Sequence, residues 1–89
     1  MIQISISSLV QEQPRELRFP GFTNTFLIGK LKLDQLPDVR YVCIDKQSMV
    51  VLVDDIRLSD LIYSISSFLA YRTQNQLDEY IRLIQEYGE

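Results

Sequence analysis

Three observations predict an α+β domain: a mostly antiparallel sheet of about four strands, followed by two C-terminal helices packed on one face. Residues 2–7 alternate apolar and polar side chains; Tyr41 to Val53 reads as two apolar runs around a polar tetrapeptide; beyond Val53 the apolar period lengthens to three and four residues. Periods of two and 3.6 mark strands and helices, and consecutive strands followed by consecutive helices favour segregated layers. Eighty-nine residues, 46% hydrophobic and 24% charged, suit one domain with one core.

Ile2, Ile4 and Ile6 alternate with Gln3, Ser5 and Ser7, which predicts a half-buried strand over 2–9. Gln11 to Pro14 interrupts it. Leu17 and Phe19 inward with Arg18 outward suggest a short strand over 15–19, and Pro20-Gly21 supplies a turn. A strand over 25–33 follows, rich in strand formers. Its apolar parity changes between Phe26 and Ile28 on one side of Gly29 and Leu31 and Leu33 on the other. A bulge at Gly29 would direct both halves into one core. Residues 34–38 read as a loop.

The central hairpin pairs strands at 40–45 and 49–54, with Tyr41-Val42-Cys43-Ile44 and Met49-Val50-Val51-Leu52-Val53 flanking Asp45-Lys46-Gln47-Ser48. Its second arm, a continuous β-branched apolar run, has the composition of a strand covered on both faces. Cys43 lies inside the first arm, so a thiol packed as a small hydrophobe is expected, and a single cysteine excludes an internal disulfide.

Leu58, Leu61, Ile62, Ile65, Phe68, Leu69 and Tyr71 form the apolar stripe of a first helix, with Asp54, Asp55 or Ser59 as candidate N-caps. Arg72 to Gln76 ends that stripe, and Leu77, Tyr80, Ile81, Ile84 and Tyr87 begin another that closes at Gly88. Asn75 with Asp78 resembles a capping box, which favours two helices over one long one.

No histidine occurs, so His-Cys metal sites and Ser-His-Asp or Cys-His catalytic arrangements are excluded within one subunit. Gly21 and Gly29-Lys30 have the wrong spacing for a phosphate-binding loop, and Leu31 stands where a hydroxyl would be needed for magnesium. The adjacent acids Asp54-Asp55 have no third placed ligand. The expectation is therefore a protein that is not an enzyme and needs no metal or cofactor. No uncharged run reaches twelve residues, short of the roughly 18 a membrane helix needs, and the opening Met1-Ile2-Gln3 lacks a basic leader; a cytoplasmic protein is expected.

The function expected is a protein–protein interaction module, such as an adaptor, assembly or regulatory subunit, that binds another protein through its C-terminal helices. Tyr63, Tyr71, Tyr80, Leu83 and Tyr87 are the candidate contacts, because aromatic side chains favour interfaces and Leu83 falls off the second stripe. The first helix is apolar over more than one face, so homodimerisation would use the remainder. Two alternatives come from charge, which is −3 overall but +2 over residues 1–33 and −5 thereafter. An acidic inhibitor, of the kind mobile elements encode, would present Asp54, Asp55, Asp60, Asp78, Glu79 and Glu86 to a basic nucleic-acid groove. A weak nucleic-acid binder would use Arg15, Arg18, Lys30 and Lys32 beside Phe19, Phe22 and Phe26, although so few cations neutralise few phosphates.

Overall fold

A computed structural model describes residues 15–32 and 39–87. Four strands come first, β1 (Arg15–Leu17), β2 (Phe26–Lys32), β3 (Val39–Asp45) and β4 (Val51–Asp55), and then two helices, α1 (Leu58–Ala70) and α2 (Gln74–Tyr87). The strands lie in chain order in one antiparallel sheet, so the predicted α+β architecture is the observed one. Among the described residues, the strand that makes the fourth is the short one at 15–17. The strand expected over 2–9, the loop over 34–38 and the cap at Gly88 lie outside the described residues.

The bulge expected at Gly29 is absent. Pairing of β2 with β3 runs unbroken from Phe26↔Asp45 through Gly29↔Val42 to Lys32↔Val39. The parity change has a different cause: both faces of the sheet are buried. Phe26 and Ile28 enter a core with Cys43, Val50, Leu52 and the helices, whereas Leu27 and Leu31 join Val42, Ile44 and Val51 on the opposite face. An irregularity does occur, in β4, where Cys43 pairs with Val53 but Ile44 with Val51. The extra residue, Leu52, lets Val50, Leu52 and Val53 all face the helices. As its composition implied, β4 is apolar on both sides.

The β3–β4 hairpin closes through Asp45 N–H to the Val50 carbonyl (2.9 Å) and Met49 N–H to the Asp45 carbonyl (2.7 Å). Met49 takes the positive φ (60°) that ends the turn, a conformation uncommon for a side chain without a polar group to compensate.

Leu61, Ile65 and Leu69 place the buried stripe of α1 on the sheet, chiefly over β4 and β3. None of the expected caps serves it. Arg57 is the N-cap and makes no side-chain capping bond; Asp55 accepts instead from the Ile56 N–H (2.7 Å), and Asp54 pairs with Arg40 across the strands (2.6 Å). The break between the helices is real, but its signal is Thr73 with Gln76, not Asn75 with Asp78. Thr73 Oγ1 accepts from the Gln76 N–H (3.2 Å) and Gln76 Oε1 accepts from the Thr73 N–H (2.8 Å), a reciprocal capping box. Arg72 fixes the corner: its guanidinium lies 3.8 Å from the Phe68 ring centre and 5.3 Å from that of Tyr80, and it donates to the Phe68 carbonyl (2.8 Å). Leu77 and Ile81 carry α2 into the same core as α1.

Cys43 is buried as expected, and removal from water, reinforced by the nearby Asp45 carboxylate, pushes its thiol pKa up to about 12. No helix among the described residues is long and apolar enough to cross a membrane.

Candidate partner-binding groove

Alternation along β3 sends Tyr41, Cys43 and Asp45 to the helix-facing side of the sheet, and each meets a different environment. Cys43 lies in the core, Asp45 at the hairpin end and Tyr41 at the opposite end.

At the hairpin end, Asp45 is 3% exposed and forms no ion pair among the described residues. Its carboxylate accepts from Asn24 Nδ2 (2.9 Å), the Ser48 N–H (3.0 Å) and Ser48 Oγ (2.6 Å). Gln74 extends this network: Nε2 donates to Asn24 Oδ1 (2.7 Å) and Asp78 Oδ1 (2.9 Å), while Oε1 accepts from the Thr23 N–H (2.7 Å). Three segments distant in sequence are tied here: the β1–β2 loop, the β3–β4 hairpin end and the start of α2.

At the Tyr41 end, α1 stops short of the β1–β2 side of the sheet. A groove of about 320 Å³ results, lined by Arg15, Leu17, Ile28, Gly29, Lys30, Tyr41, Leu58 and Ile62. Its walls are Leu58 and Ile62, one helical turn apart and 43% and 42% exposed. Gly29 contributes backbone only, because its pairing with Val42 turns its Cα substituent to the opposite face. Arg15 and Lys30 supply its charge. Arg15 pairs in register with Ile28 and Lys30 with Tyr41, so the two cations are diagonal neighbours, with Cα atoms about 7–8 Å apart. Neither has an ion-pair partner among the described residues; Lys30 rests 5.6 Å from the centre of the Tyr41 ring. Among the described residues, no carboxylate lines the groove.

The residues singled out from sequence are placed as follows. Tyr63 lies on the outward side of α1 and is 76% exposed, and Tyr71 ends that helix, also exposed. Leu83 and Tyr87, one turn apart on α2, form an exposed pair. Tyr80 belongs to the interior: it is half-buried, edge-on to Phe68 with ring centres 5.2 Å apart. None of these five lines the groove that Leu58 and Ile62 border. The acidic residues are divided too. Asp54, Asp55 and Asp60 lie where β4 leads into α1, whereas Asp78 joins the network at the other end of the sheet. Glu79 and Glu86 both accept from Arg82, whose guanidinium they hold above its ordinary pKa. Asp54 is matched by Arg40.

Leu58 and Ile62 were expected within the apolar stripe of the first helix, but they lie at its edge and stay exposed; Arg15 and Lys30 were legible as cations on strands. Ile28, Gly29 and Tyr41 carried no such signal, because only strand order and register bring them beside α1. Among the described residues, no group of three or more Cys, Asp and Glu side chains is placed to hold a metal ion. A scan against protein-family models and searches of the curated proteins and of the solved structures found no match to this chain.

Proposed function

We propose that the chain is a cytoplasmic, non-catalytic protein-binding module that holds a segment of another protein in the groove between α1 and the β1–β2 side of the sheet. One observation supports the reading: an open apolar trough is bordered by two cations that form no ion pair among the described residues. Apolar walls flanked by polar groups are the composition of recognition surfaces, and the apolar area they expose is stabilised when a partner covers it. The helical contribution comes from the first half of α1 rather than from the tyrosines. Leu83 and Tyr87 form a smaller second face suited to a homodimer contact.

The acidic-inhibitor alternative draws less support, because Arg40 and Arg82 offset three of its six carboxylates and the rest are spread over two ends of the molecule. Capture from extract of the source cell tests the main reading, using the tagged chain, Ile62→Asp and Leu83→Asp in parallel with nuclease treatment. The expected result is a stoichiometric protein retained by the wild type and by Leu83→Asp, resistant to nuclease and lost with Ile62→Asp. Equal retention by Ile62→Asp would move the site away from the groove. Release by nuclease would revive the basic strands as a nucleic-acid surface.

A further inference from the structure

We infer that the occupant of the groove is an acidic amphipathic segment of another protein, with large apolar side chains against Leu17, Ile28, Leu58 and Ile62 and a carboxylate between Arg15 and Lys30. This inference rests on the binding-module reading and adds the chemistry of the partner. Among the described residues, the charged side chains of the lining are both positive and the rest is mainly apolar. Every other described ion pair joins residues outside the groove: Arg40 with Asp54, Lys46 with Glu16, Arg82 with Glu79 and Glu86. Two like charges on neighbouring strands repel, so leaving both unpaired works against the isolated fold, and a carboxylate brought by a partner removes that repulsion.

The spacing defines the match. Diagonal strand positions about 7–8 Å apart can share one carboxylate through two long side chains, or receive two acids set three or four residues apart on a helix, about 5–6 Å between Cβ atoms. The chain as a whole carries −3, so an acidic partner gains no long-range attraction from net charge; its recognition is local and centred on this pair. Nucleic acid fits less well, because two cations over an apolar floor offer few phosphate contacts.

The test is a random peptide library displayed on phage and selected against the folded chain. The expected consensus has two or more large apolar residues with Asp or Glu within four positions. The synthetic consensus peptide should bind about tenfold or more weakly to Arg15→Glu/Lys30→Glu, whose fold is checked by circular dichroism and urea midpoint. Library selection on that reversed chain should exchange the acids for Lys or Arg. An apolar consensus without acids, bound equally by both chains, would overturn the acidic chemistry while leaving the module intact. Failure of the wild type to enrich any peptide would also overturn it, with the module then judged by the capture experiment. Concentration-dependent self-association abolished by the reversal would place a second copy in the groove and overturn the heterologous partner.

Discussion

The two ends of the helix-facing side of the sheet differ in what their polar groups do. At the hairpin end, Asp45, Asn24, Ser48, Gln74 and Thr23 are bound to one another, and a buried carboxylate is held by three donors. At the Tyr41 end, about 13 Å away along the same strand, Arg15 and Lys30 form no ion pair among the described residues, and Leu58 and Ile62 stay exposed. Polar groups satisfied within the chain hold the fold together. Those left over beside exposed apolar surface are available to another molecule.

This contrast predicts opposite responses to mutation. The largest effect belongs to Asp45→Ala, which strands the part-buried donors of Asn24 and Ser48 and should destabilise the chain by about 2 kcal/mol in urea unfolding. A loss below about 1 kcal/mol would mean that water replaces the carboxylate, and the hairpin end would then not be a structural anchor.

Next comes the pH response of the core between the two ends. With a folded-state pKa near 12 against an ordinary value of 9.0, the Cys43 thiol keeps its proton more tightly when folded. Its contribution is fully present below pH 9.0 and is lost as pH rises towards 12, at up to about 1.4 kcal/mol per pH unit. Urea midpoints at successive alkaline pH values should fall less steeply for Cys43→Ala than for the wild type. Equal slopes would show that the thiolate is solvated in the folded state. The thiol should also resist alkylation until the chain unfolds.

Smaller again is Thr73→Ala, which removes one half of the reciprocal cap and should cost about 1 kcal/mol; Asn75→Ala should cost less, because Asn75 does not cap α2. Equal losses would assign the helix start wrongly.

Much of the fold was readable in the residues because long periodic segments report their own burial. The stripe from Leu61 to Leu69 and the β-branched run of β4 each specify an element and its buried faces. Gly29 misled because a parity change implies a bulge only when one face is buried, and here Leu27 and Leu31 have a second buried face to enter. The acids before α1 misled for a different reason: proximity to a helix start does not aim a carboxylate at its amides, and Arg40 and the Ile56 N–H take them first. The groove was legible only in parts. Its apolar wall showed as part of the α1 stripe, but its location depends on β1 and β2 extending past that helix, a relation no local pattern contains.

The most direct test of the contrast is urea unfolding of Arg15→Gln/Lys30→Gln beside the wild type. If the cations are spare in the isolated chain, removing their mutual repulsion should leave the stability unchanged or raise it by about 0.5 kcal/mol. A loss of more than about 1 kcal/mol would contradict the account, because the pair would then be part of the structure rather than held ready for a partner.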